Sequence, residues 1–167
     1  MSPLCKIDSD GGAAWAQQAP AELAGALAAA GEKRLFAGGR RLFSFGEEAG
    51  GVFLILKGRA RAVLAGEPGR ELLSLTAGPG SLLGVPSALC AKSYQFDVES
   101  MESLEAAYLP VAQLNDLLRL RPELGMQVMS MMCEELSALG RTKEHLSRCQ
   151  NKECGLHGYC TQASALE

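Results

Sequence analysis

The chain has 167 residues, 47% of them hydrophobic and 21% charged, with a formal net charge of −3. That length suits one domain with an accessory element, and the apolar share is enough to bury a core. Acidic and basic residues are interspersed, so no face is built to track nucleic-acid phosphates, and no apolar run approaches the ~20 residues that span a bilayer.

Residues 1–19 show little periodicity apart from Trp15 and read as a loose N-terminal segment. Pro20 then opens PAELAGALAAAG, where Leu23 and Leu27 lie one turn apart; proline at the start and Gly31 at the stop predict a short helix. From Glu32 to Leu109 the pattern changes to short apolar runs closed by turn residues. Leu35 and Phe36 precede Gly38-Gly39, RRLFSF ends at Gly46, and VFLIL ends at Gly58. ARAVLAG turns at Glu67-Pro68-Gly69, and RELLSLT stops before Gly78-Pro79-Gly80. Two more strands are predicted over Tyr94–Ser100 and Leu104–Tyr108. Such runs argue an antiparallel barrel or jelly roll, mainly β with flanking helices.

Pro110 begins the helical segment VAQLNDLLRLR, and Pro122 restarts a helix expected to reach about Arg148. Along it Met129, Met132, Leu136, Leu139, Lys143 and Leu146 recur at alternating spacings of three and four. That is the period of a coiled-coil seam, and it predicts a homodimer interface. The chain therefore divides into the loose segment 1–19, a β-roll over 20–121, a dimerisation helix over 122–148 and a Cys-rich tail over 149–167.

Helix, glycine-punctuated roll and long helix, in that order, resemble the sensor domain of Crp/Fnr-type regulators over residues 20 to about 148. Leu42-Phe43-Ser44-Phe45-Gly46 matches the family's L-F-x-x-G. VFLILKGRARAV matches its strand, glycine and strand, with Gly58 at the turn. Gly80 in AGPGSLLG stands at the approach to the phosphate-binding cassette. The resemblance implies a double-stranded β-helix (jelly roll) of the cyclic-nucleotide-binding fold, followed by a long dimerisation helix. In members that bind cyclic AMP the cassette reads G-E-h-S/A-h, then R-S/T-A. Amides at the start of its short helix meet the cyclic phosphate, the arginine adds a bidentate cation, and the glutamate accepts from the ribose hydroxyl.

Here Gly84 matches the glycine, Val85 stands at the glutamate and Tyr94 at the arginine. Losing the arginine removes ~1.5–3 kcal/mol and losing the ribose acceptor ~1 more. Binding would weaken roughly a hundredfold to a thousandfold, so the cassette is degenerate and a strong cyclic-nucleotide response is not expected. Lys92 offers a substitute charge without a planar fork. The ligand-binding positions that the resemblance implies are Gly84, Val85, Pro86, Ser87, Ala88, Tyr94 and Gln95. Two readings stand open. In one, Ser87, Tyr94 and Gln95 supply polar groups and Val85, Leu89 and Phe96 apolar walls for a neutral or weakly anionic effector. In the other, Tyr94 caps a collapsed, empty pocket.

The start MSPLCKIDSD lacks a signal-peptide core, so a cytoplasmic location is expected and the six cysteines read as thiols or ligands. Cys5, Cys90 and Cys133 are isolated and are expected to pack as small hydrophobes. CQNKECGLHGYC brings Cys149, Cys154, His157 and Cys160 within twelve positions. They suit zinc or a share in an iron–sulfur cluster, a cross-link through Cys149 between two chains, or a thiol-bearing tail with no site. About twenty residues follow Arg148, too few for the family's winged helix-turn-helix, so this chain alone is not expected to bind DNA. No G-x-S-x-G elbow, G-x-x-x-x-G-K loop or ligand-spaced histidine pair points to an enzyme, and the strands hold none of the histidines of a cupin. The sequence thus predicts a homodimeric ligand- or signal-sensing regulator acting in transcription or signalling. A metal or redox sensor on the same scaffold is the alternative.

Overall fold

Pro20 caps the first helix, α1 (Ala21–Ala30), in which Leu23 and Leu27 are buried. Gly31 ends it by donating its amide to the Leu27 carbonyl at 2.8 Å. The computed structural model describes residues 18–65, 71–134 and Ser137. After α1 come β1 (Glu32–Phe36), β2 (Arg41–Phe43), β3 (Gly51–Lys57), β4 (Ala60–Ala65), β5 (Glu71–Ala77) and β6 (Leu82–Leu83). The short helix α2 (Val85–Leu89) follows, then β7 (Asp97–Ser100), β8 (Leu104–Pro110) and α3 (Val111–Leu120).

The described strands form two antiparallel four-stranded sheets, ordered β1-β8-β3-β6 and β2-β7-β4-β5. This is the mainly β roll expected from the glycine spacing, with helices on its outside. Gly58 shows why glycine stands at those turns. Its φ is +81°, and a Cβ there would lie 2.4 Å from the Ser103 carbonyl oxygen.

The seventh strand begins at Asp97 rather than at Tyr94. The Tyr94 amide donates to the Glu47 carbonyl at 2.8 Å, and its carbonyl accepts from Gly46 at 2.9 Å. Those bonds tie Tyr94 to the turn after β2 and leave it outside the β7 ladder.

Two buried clusters result. One lies between the roll and the helices, where Leu23, Leu27, Val52, Leu54, Leu109 and Leu114 pack with Leu124, Val128 and Met131. The other fills the roll with Phe43, Phe53, Ile55, Leu83, Tyr94, Val98 and Leu104. Pro122 interrupts the helical chain after α3, as expected, and helix α4 then runs over 122–134. Its buried stripe, Leu124, Val128 and Met131, has the i, i+4, i+7 spacing of one helix face. Arg121 and Gln127 both bond Glu22 of α1, which fixes the start of α4 against the first helix.

Met126 and Met129 are 61% and 56% exposed, and Met132 is half-buried. Leu136, Leu139, Lys143 and Leu146 lie outside the described residues, as do the tail positions Cys149, Cys154, His157 and Cys160. The expected packing of Cys90 and Cys133 is corrected, because both thiols are exposed. Cys133 falls two positions after the last buried residue of α4, on the side turned from the roll, and Cys90 caps the solvent end of α2. Cys5 lies outside the described residues.

Candidate functional site

β6 stops at Leu83 because Gly84 takes φ +84°, ψ 2° and turns the chain into α2. That early end leaves a gap beside β3. Alternate residues of a strand direct their main-chain groups to the same neighbour. Ile55 donates to Ser81 at 2.9 Å and accepts from Gly80 at 2.8 Å, so Gly51, four residues back, faces the same side. Phe53 opposes Leu83, and two steps further the ladder has already turned away. Among the described residues, Gly51 therefore presents an N–H and a C=O with no strand to meet them there.

Tyr94 takes both groups. Its hydroxyl donates to the Gly51 carbonyl at 2.7 Å and accepts from the Gly51 amide at 3.4 Å. The ring stacks on Phe43 with centroids 3.9 Å apart and planes 22° apart. The ring also lies beside Gly84, where a Cβ would fall 2.9 Å from its Cε1 and 3.3 Å from the Gly51 carbonyl oxygen. Only 3% of Tyr94 is exposed. Burial pushes its phenol above the ordinary tyrosine range, opposed by the bond to Gly51. Tyr108 and Glu47 push the same way as burial and Arg34 pulls down. The side chain is a neutral phenol at physiological pH.

Of the positions expected to bind a ligand, the structure brings Gly84 and Tyr94 into contact and sends the others elsewhere. Val85 and Ala88, three apart on α2, belong to the cluster under the outer helices. Pro86 is exposed, and Ser87 is buried with its carbonyl accepting from the Lys92 amide at 2.9 Å. Gln95 is exposed, and its amide donates to the Ser93 carbonyl at 2.8 Å rather than entering the roll. Leu89 is also exposed, while Phe96 packs partly buried against the roll interior. Lys92 lies in solvent. Sequence reasoning missed Gly51 and Phe43 as partners of Tyr94. The double glycine Gly50-Gly51 before an aliphatic strand was the available signal.

A comparison with protein families matches the cyclic nucleotide-binding domain over residues 33–121. The chain belongs to that family. The match spans β1 through α3 and includes the Gly84–Tyr94 contact. The catabolite activator protein of Thermus thermophilus superposes with TM-score 0.69 at 22% identity, over 77% of this chain and 60% of that one. Oxidized CprK, solved with o-chlorophenolacetic acid, gives TM-score 0.63 at 21% identity, over 75% of this chain and 52% of its own. These likenesses show the cyclic-nucleotide-binding β-roll fold. The mouse patatin-like phospholipase domain-containing protein 7 is 26% identical over 98 residues, 59% of this chain and 7% of that protein. This cyclic nucleotide-binding domain thus spans three fifths or less of each of these relatives. No helix among its described residues is long and apolar enough to cross a membrane.

Proposed function

We propose that the protein is a homodimeric regulatory sensor domain, not an enzyme, whose nucleotide recess is closed by its own Tyr94 and does not take cyclic AMP or cyclic GMP. The observation that carries this reading is the Tyr94 ring itself. It lies between Phe43 and Gly84, where the family's arginine would reach a cyclic phosphate, and its hydroxyl is committed to Gly51. A nucleotide would have to expel a buried aromatic ring, worth roughly 1.5–3 kcal/mol in burial alone, and would then find valine at the ribose position. Lys92, the substitute charge nearest in sequence, stays in solvent, and the Arg34 guanidinium lies over the Tyr108 ring.

The dimer reading rests on α4. Leu124, Val128 and Met131 are spent on the roll, while Met126 and Met129 face away from it and remain exposed. A second copy of the same helix is the occupant that the 3.5-residue seam from Met129 to Leu146 supports. Isothermal titration of the wild type with cyclic AMP and cyclic GMP to millimolar concentration tests the pocket. The expected result is no saturable heat; submicromolar binding of either overturns the reading. Light scattering coupled to size exclusion is expected to give twice the chain mass.

A further inference from the structure

We propose that the recess is a recognition site for a neutral phenol, and that Tyr94 is the phenol it holds. The inference rests on the reading of this recess as the family's ligand site closed from within, and it adds the chemistry that the site selects. Backbone builds the recess. β6 ends at Leu83 and exposes one donor and one acceptor of the same residue, Gly51. An occupant must give a hydrogen bond to the Gly51 carbonyl, the short contact at 2.7 Å, through a group that can also take the longer one from the amide at 3.4 Å. A phenol hydroxyl does so. A carboxylate or a phosphodiester only accepts, and would set its charge against the Gly51 carbonyl oxygen.

The shape is as selective as the polarity. Phe43 lies 3.9 Å from the ring on one side, and Gly84 touches its edge where any side chain would collide. A flat ring is thus held by Phe43 on one face and admitted by the missing side chain of Gly84, with Gly51 as the partner of its hydroxyl.

The segment that delivers the ring belongs to neither sheet. Residues 90–96 run between α2 and β7, and Ala91 there adopts φ +50°, a left-handed conformation uncommon without glycine. Main-chain bonds from Gly46 to Tyr94, from Tyr94 to Glu47 and from Lys92 to Ser87 hold the segment. The phenol is thus tethered to a connecting strap rather than built into the ladder. The protein carries its own occupant, and the roll is filled without an external effector.

The test detaches the phenol. Tyr94→Gly removes the ring, and p-cresol is the same side chain freed from the backbone. Titration calorimetry is expected to show saturable p-cresol binding to Y94G and none to the wild type. Toluene, which lacks the hydroxyl, and 4-methylbenzoate, which only accepts, should bind Y94G about tenfold more weakly or not at all. Equal binding of all three overturns the proposal, because the space would then be an unselective apolar hole. Absence of p-cresol binding to a folded Y94G overturns it too, as does wild-type binding at the same affinity. If Y94G is unfolded alone, folding on addition of p-cresol and not of toluene supports the proposal. If neither restores it, Tyr94→Phe decides by its melting midpoint: a fall of roughly 4–8 °C supports the hydroxyl bond to the Gly51 carbonyl, and a midpoint within about 1 °C of wild type overturns it. Cyclic AMP binding to the wild type would instead defeat the underlying reading. Failure of p-cresol with a wild type indifferent to cyclic AMP defeats only this inference.

Discussion

Tyr94→Phe removes one oxygen from the interior and nothing else. The ring keeps its burial and its stack on Phe43, so any loss of stability reports on the hydroxyl. Two Gly51 main-chain groups lose their partner, the carbonyl at 2.7 Å and the amide at 3.4 Å, and water has no route to a residue 3% exposed. Leaving a buried carbonyl without its donor costs roughly 1–3 kcal/mol; with the longer amide contact counting little, the loss is about 2 kcal/mol. For a chain of this length each kcal/mol moves the midpoint by about 2–4 °C, so the variant should melt roughly 4–8 °C below wild type. Far-UV circular dichroism at neutral pH measures it. A midpoint within about 1 °C of wild type would refute the role given to the hydroxyl.

Three further outcomes follow from the same geometry. Because the Tyr94 phenol is raised by burial, folding favours its protonated form. That contribution is whole below the unfolded value of 10.0 and is lost as pH rises through the folded value, so wild type should lose stability above pH 10 more steeply than Tyr94→Phe in urea titrations. Gly58→Ala meets the Ser103 carbonyl oxygen at 2.4 Å and holds φ at +81°. The backbone penalty alone is about 1–2 kcal/mol, and a midpoint lowered by less than about 2 °C would show that the turn yields easily. Met126→Glu combined with Met129→Glu changes residues more than half exposed, so the melting midpoint should stay near wild type while the mass in solution halves. A double variant that remains dimeric contradicts the interface on α4.

The roll was legible in the sequence because glycine and proline punctuate it. Gly31, Gly58 and the Gly78-Pro79-Gly80 run stand where elements end, and Pro122 marks the restart of the helix. Tyr94-Gln95-Phe96-Asp97-Val98 alternates like a strand, yet its first residues bond to Gly46 and Glu47, nearly fifty positions earlier. Periodicity cannot register such a distant claim on the backbone. The site was legible in part. The cassette pattern brought Gly84 and Tyr94 forward as positions, whereas Gly51 matters only because β6 stops short, a fact of sheet topology. Val85 and Ala88 were expected at the ligand as neighbours of Gly84, but three-residue helical spacing turns them together toward the outer helices. Cys90 and Cys133 show the same limit, since a small apolar side chain gives no sign of which face it takes.

What fills the space beside Gly84 decides whether the domain can take a cyclic nucleotide. Crystals grown in several millimolar cyclic AMP should show the Tyr94 ring flat on Phe43, its hydroxyl on Gly51 and no nucleotide in the roll. Density for a cyclic phosphate at Gly84, with the tyrosine swung out, would contradict it.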